Sequence, residues 1–183
     1  MQLKVATLED IDSTLNLHAK YQVDTIKEED KKDGFVTTPF TKDELKDLIE
    51  QEKGLFIAVD SGKVVAYVMS ASWEFWSRWA MFAFMAKNLD CKSYRGIDIT
   101  SKNSYQYGPI CIDKAYRGTK LLPEIFNFAK KNMTNRFDIL ITFVNKINPR
   151  SFNAHHKKLG LDILSEFEYN NNKYWELVTK IRN

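Results

Sequence analysis

Two stretches of the 183-residue chain carry side chains at spacings that chemistry could use. The first is YGPICIDKAYRGTKLLPEIF, residues 107 to 126. Its run Ile110-Cys111-Ile112 suits a buried strand. From Leu121 onward apolar residues recur at helical spacing: Leu121, Ile125, Ala129 and Met133 on one line, Leu122 and Phe126 beside it. Between the two lie Arg117, Gly118 and Thr119. A strand that breaks at a glycine and turns into a helix presents unpaired N–H groups and a partial positive charge, which together seat a phosphate. An ordinary strand-to-helix turn has the same pattern, so both readings stand. The second stretch is NPRSFNAHHKKLGL, residues 148 to 161. Asn148 suits an N-cap, Pro149 the first helical position and Gly160 a left-handed C-terminal position, all without any function. Local structure does not account for the adjacent His155 and His156. A histidine is more often packed or at the surface than catalytic. Neighbours on a helix point about 100° apart, so at most one of the pair faces any one site.

The elements that must position these residues alternate along the chain. Residues 3 to 6 read as a short strand, followed by Leu8, Ile11, Leu15 and Ala19 at helical spacing. KEEDKKDG, 27 to 34, reads as a solvated loop. Thr41-Lys42-Asp43-Glu44 is a capping-box pattern opening a short helix that ends near Gly54. Residues 55 to 59 and 63 to 70 form a hairpin around Asp60-Ser61-Gly62. Residues 73 to 103 break the alternation with SWEFWSRWAMFAFMAKN, where Trp73, Trp76 and Trp79 recur every third residue and Phe75, Phe82 and Phe84 fall elsewhere around a helix. Such a helix must be covered on nearly all sides. It is a structural insertion in the core, a wall over a ligand pocket, or an oligomer contact. Residues 137 to 144 are a further strand, 149 to 159 a helix closed by Gly160. Two last strands, 162 to 169 and 173 to 180, flank the turn Asn170-Asn171-Asn172. The order is mixed α/β (α+β), with helices packed on one central sheet.

Composition sets the bounds. With 44% hydrophobic and 28% charged residues, the chain reads as one globular domain, 1–183. A net charge of +3, from 27 basic and 24 acidic side chains, falls short of a dedicated nucleic-acid binder yet suits a small anionic ligand. Cys91 and Cys111 form no metal-spaced cluster and read as reduced thiols, a cytoplasmic pattern; no metal is expected. The N-terminus has no apolar run long enough for a signal peptide or membrane span, so no membrane partner is expected.

Taken together, the two stretches resemble those of the GNAT superfamily of acyl-CoA-dependent N-acetyltransferases, and the resemblance covers nearly the whole chain. VATLEDIDSTLNLH resembles the family's first strand and helix, and 55 to 70 its second and third strands. YGPICIDKAYRG resembles the fourth strand running into the acyl-CoA motif, and NPRSFNAHHKKLGL the later Asn-x-x-Ser…His…Leu-Gly-Phe motif. The implied fold is a central mixed, mostly antiparallel sheet of about seven strands flanked by helices, with the aromatic helical segment inserted after the third strand.

The resemblance also implies roles. Backbone groups of Ile110, Cys111 and Ile112 would bond the pantetheine arm of acetyl-CoA. A splay beside the fourth strand would admit it, with Gly108-Pro109 as the site of distortion. The phosphate loop would be Arg117, Gly118, Thr119, Lys120, Leu121 and Leu122, its amides wrapping the pyrophosphate. Asn148 and Ser151 match positions that contact the cofactor farther along. Lys120 and Leu122 stand where the family usually has glycine or alanine. The helix motif is one residue longer than usual before Gly160, so either His155 or His156 takes the place of the family's frequent tyrosine acid. For the base, the fourth strand offers Tyr105 and Tyr107 but no carboxylate, leaving Tyr107, Glu74 or a water chain. The reaction implied is direct transfer of an acetyl group from acetyl-CoA to a primary amine of a small molecule or peptide, by a monomer or homodimer. The other reading is a non-catalytic ligand-binding or sensor module with a degenerate CoA loop.

Overall fold

A computed structural model describes residues 1–31 and 34–182. In chain order the elements are β1 (Gln2–Val5), a 3-10 turn (Leu8–Asp10), α1 (Ile11–Tyr21), α2 (Glu28–Lys31), α3 (Lys42–Asp47), a π-helical turn (Leu48–Glu52), β2 (Leu55–Asp60) and β3 (Lys63–Ala71). The insertion follows as α4 (Trp73–Trp76), α5 (Ala80–Lys87), β4 (Ser93–Tyr94) and β5 (Ile97–Asp98). Then come β6 (Ser104–Ile112), a 3-10 turn (Lys114–Tyr116), α6 (Leu121–Met133), β7 (Ile139–Asn145), α7 (Pro149–Phe152), a π-helical turn (Asn153–Lys158), β8 (Asp162–Tyr169) and β9 (Asn172–Lys180). Seven strands form one sheet in the order β1-β2-β3-β6-β7-β9-β8, and β4-β5 form a separate ribbon. The pairs β1–β2, β2–β3, β7–β9 and β8–β9 are antiparallel, while β6 and β7 run parallel from Ser104↔Ile139 to Gln106↔Ile141. The sheet is thus mixed, mostly antiparallel and flanked by helices.

The residues cluster into two compact units, Met1–Ser70 with Gly108–Ala129, and Ala71–Tyr107 with Lys130–Asn183. In the first unit the β2–β3 hairpin turns through Ser61 and Gly62, both at positive φ (49° and 75°), the two-residue geometry that matches strand twist. Leu55, Phe56, Ile57, Val68 and Met69 on its strands are fully buried. Gly54 is required by space, since a Cβ there would lie 1.9 Å from the Ser70 carbonyl. The Thr41 box forms as expected, with the Glu44 N–H donating to Thr41 Oγ1 (3.2 Å) and the Thr41 N–H to the Glu44 carboxylate (2.7 Å). Leu121, Ile125, Ala129 and Met133 on α6 are all buried, which places the predicted stripe correctly.

The second unit buries Trp73, Met85, Leu89, Tyr94 and Ile99 of the insertion against Ile139, Ile141 and Val178 of the sheet. Its β8–β9 hairpin turns on two residues, Asn170 and Asn171 (φ 48° and 59°), while Asn172 already belongs to β9.

Four expectations are revised. The stripe on α1 is Ile11, Thr14, Leu17, His18 and Tyr21; Leu8 is 47% exposed and Ala19 exposed. The 3-10 turn before α1, tighter than an α turn, throws Leu8 out of phase. The 27–34 stretch is not all loop, because α2 occupies Glu28–Lys31; its Lys32 and Asp33 lie outside the described residues. The aromatic segment is two short helices, with the chain opening at Trp79 (ψ 132°) between them. The helix read over 149–159 is α7 followed by a π turn.

Candidate functional site

Within the first unit, β6 ends at Ile112 and the chain turns sharply. Asp113 caps the 3-10 turn, accepting from the Ala115 N–H (3.0 Å), and its own N–H donates to the Val65 carbonyl of β3 (2.9 Å). The Lys20 ammonium 2.7 Å away and the Ala115 bond hold the Asp113 carboxyl below its usual range, although partial burial opposes them. Gly118 adopts φ 81°, which only glycine reaches without strain; a Cβ there would meet nothing within 4 Å. Angle, not crowding, is the requirement. Thr119 Oγ1 donates to the Tyr116 carbonyl (2.7 Å) and accepts from the Leu121 N–H (3.2 Å). The Glu124 N–H reaches the Lys120 carbonyl (3.1 Å), which makes Lys120 the N-cap of α6. Pro123 then falls in the first turn, where its missing N–H costs no helical bond. The amides of Gly118, Thr119 and Lys120 donate to no group among the described residues. Three adjacent N–H groups at the head of a 13-residue helix therefore stand open to an anion.

Lys120 and Leu122 are not at positive φ; in this loop only Gly118 is. Their side chains sit on backbone that any residue adopts, and that of Lys120 is exposed. Arg117 does not extend freely: its Nε–H donates to the Ile112 carbonyl (2.8 Å) and its guanidinium lies over the Tyr21 ring (4.6 Å). Ile110 and Ile112 are half-buried, Cys111 buried. Burial, with Asp113 nearby, pushes the Cys111 thiol up to about 12. It is a thiol at neutral pH, not a nucleophilic thiolate.

Residue-level reading missed a buried polar pair in this unit. His18 Nδ1 lies 2.7 Å from the Tyr67 hydroxyl. Burial depresses the His18 pKa. The sequence carries the signal, since His18 shares a helical face with Ile11 and Thr14.

Within the second unit, Asn148 Oδ1 accepts from the Ser151 N–H (3.0 Å), and Pro149 follows at the first helical position. The π turn then takes up the extra residue of the motif, as single-turn π bulges do. It also separates the two histidines. His155 is buried, its Nδ1–H donating to the Ser151 carbonyl (2.8 Å) and its ring 5.8 Å from that of Tyr107, edge to face. His156 is half-buried, donates from Nδ1 to the Leu161 carbonyl (2.7 Å) and stacks on Phe152 (5.1 Å). Burial lowers the His155 pKa, only partly offset by its bond to Ser151. Its neutral ring thus holds the proton on Nδ1 and leaves Nε2 as an acceptor.

Tyr107 and Tyr105 are fully buried, and burial raises both phenols. Glu74 is exposed in the first turn of α4. The tryptophans of the insertion hold β6: Trp73 Nε1–H donates to Ser104 Oγ (3.0 Å) and Trp76 Nε1–H to the Gln106 carbonyl (3.1 Å). Trp79 packs against Phe75, Trp76 and Phe82. Among the described residues, no group of three or more His, Cys, Asp or Glu is placed to hold a metal ion, and no helix is long and apolar enough to cross a membrane.

No family model matches the sequence, and no curated protein matches it. Solved structures do match. The chain is similar to yncA of Salmonella typhimurium, assigned as an acetyltransferase and solved with its cofactor acetyl-CoA, at 10% identity and a TM-score of 0.65, over 99% of this chain and 94% of that one. It is similar to an N-acetyltransferase of Staphylococcus aureus Mu50 at 13% identity and a TM-score of 0.63, over 99% and 98%. It is likewise similar to a ribosomal-protein-alanine N-acetyltransferase of Brucella melitensis at 13% identity and a TM-score of 0.60, over 98% and 99%. The fold is that of the GNAT N-acetyltransferases.

Proposed function

We propose that the chain is an N-acetyltransferase that moves an acetyl group from acetyl-CoA to a primary amine of a small molecule or peptide. One observation carries the reading: the open amides of Gly118, Thr119 and Lys120 at the head of α6, one 3-10 turn after the strand β6. They fit a pyrophosphate by hydrogen bonding and by the helix field. The backbone of Ile110, Cys111 and Ile112 would hold the pantetheine arm, with Leu121 and Leu122 completing the contacts of this unit. When bound, acetyl-CoA supplies the acetyl thioester. Cys111 stays protonated, which favours direct transfer over an acyl-enzyme.

His155 is the proton-transfer group in this reading. With Nδ1–H fixed on Ser151 and the ring kept neutral by burial, Nε2 can take the amine's proton and later return one to the leaving thiolate. Tyr107 keeps its hydroxyl proton, and Glu74, exposed, is not used. His156 caps the end of its helix. The normal backbone angles at Lys120 and Leu122 weaken the alternative of a degenerate, non-catalytic module.

The test is release of free thiol from acetyl-CoA in the presence of small diamines and, separately, of peptides with a free N-terminus. Amine-dependent release supports the reading, and the more active class names the acceptor. No release above the enzyme-free rate with either class, by protein that binds acetyl-CoA, would establish a binding module instead.

A further inference from the structure

Tyr21, the last residue of α1, is buried and touches the phosphate-loop region at two points. Its hydroxyl accepts from the Lys114 N–H at 2.7 Å. That amide opens the 3-10 turn, while the Asp113 carboxylate serves the next amide, at Ala115. Its ring lies under the Arg117 guanidinium, with the centroid 4.6 Å from Cζ. Arg117 is tied a second time, to the Ile112 carbonyl. One turn of α1 therefore fixes both ends of the Lys114–Arg117 segment, and Gly118 with the open amides follows immediately. The preceding residue, Lys20, adds an ion pair to Asp113, but it is largely exposed and contributes little. The main chain of Tyr21 is anchored in turn, its carbonyl accepting from the Val36 N–H (2.9 Å).

We propose that Tyr21 is a positioning residue for the cofactor's pyrophosphate: through Lys114 and Arg117 it sets where the amides of Gly118, Thr119 and Lys120 stand. This rests on the acetyl-CoA reading above. It also assigns Arg117 a different part from the one its charge suggests, a strut held against Tyr21 rather than a side chain reaching for phosphate. Loss of the hydroxyl removes one hydrogen bond from the turn, and loss of the ring also removes the surface that holds Arg117.

Binding of coenzyme A and of pantetheine, the same arm without its phosphates, tests this for the parent, Tyr21→Phe and Tyr21→Leu. Calorimetry serves for coenzyme A and ligand-observed NMR for pantetheine, with Tm measured on each free protein. The expected Kd for coenzyme A rises about three- to tenfold in Tyr21→Phe and about thirtyfold in Tyr21→Leu, while pantetheine stays within about twofold in all three. Coenzyme A affinity within about twofold of the parent in Tyr21→Phe, with Tm preserved, would overturn the proposal even if Tyr21→Leu does not fold. Equal weakening of both ligands would also overturn it, by showing Tyr21 to be a core residue only. A parent that binds neither ligand would instead overturn the acetyl-CoA reading, and the role of Tyr21 with it.

Discussion

His155 and His156 are neighbours in sequence with unlike surroundings. His155 is buried beside the Tyr107 ring, its Nδ1–H spent on a carbonyl of its own helix; His156 is half-buried, stacks on Phe152 and donates to the Leu161 carbonyl. Sequence alone limited any one site to one of them, but could not choose. The choice depends on a π turn that no 3.6-residue periodicity describes. His155→Ala is expected to lower kcat by roughly 10²-fold or more, the usual scale for losing a general acid–base group. His156→Ala should change it less than about threefold. Steady-state kinetics with whichever amine releases thiol decide it, and equal, small effects would mean that neither histidine transfers the proton. The strand-to-helix turn was legible in Arg117, Gly118 and Thr119. That Arg117 folds back onto Tyr21 was not, because the two are joined only by the tertiary fold.

At the scale of elements, what was legible had a local cause. The Thr41 box, the Ser61-Gly62 hairpin, the Asn148-Pro149 start and the α6 stripe each depend on residues within a few positions of one another, and each stands where expected. The α1 stripe was misplaced because a 3-10 turn shifts its phase. The insertion resisted reading because its order comes from distant partners. Lys92, between α5 and β4, reaches the fully buried Glu176 of β9 at 2.6 Å, and Ser165 of β8 donates to the same carboxylate oxygen (2.6 Å). Removing one partner of a buried pair leaves an uncompensated charge, which costs about 3–5 kcal/mol. Urea unfolding should therefore show Lys92→Met destabilised by about that much, with Lys92→Met/Glu176→Gln recovering most of it. A loss below about 1 kcal/mol in the single variant would mean that the pair does not anchor the insertion.

For the molecule as a whole, the two buried histidines set a pH dependence of stability. Burial lowers the pKa of both His18 and His155 below the ordinary value of 6.5, so between the folded and unfolded pKa values the unfolded chain binds more protons. Stability then rises with pH in that window. It is complete above about 6.5 and lost as pH falls through that value toward the folded pKa values. Asp10, Asp113 and Asp162, whose pKa values are lowered, add a second loss only below the carboxylate range. Thermal unfolding should show Tm falling between pH 7.5 and 5.5, and the fall should be smaller in His155→Gln than in the parent. A Tm independent of pH over that range would contradict the burial of neutral imidazoles.

If the loop at the head of α6 holds acetyl-CoA, as proposed, calorimetric titration of the parent protein with acetyl-CoA shows it most directly. A saturable single-site heat with a Kd of millimolar or tighter is predicted. Gly118→Ala should weaken it by about fivefold or more, since a Cβ at φ 81° costs about 1–2 kcal/mol and shifts the amides that follow. No heat of binding up to millimolar acetyl-CoA, from protein that unfolds cooperatively, would contradict the account.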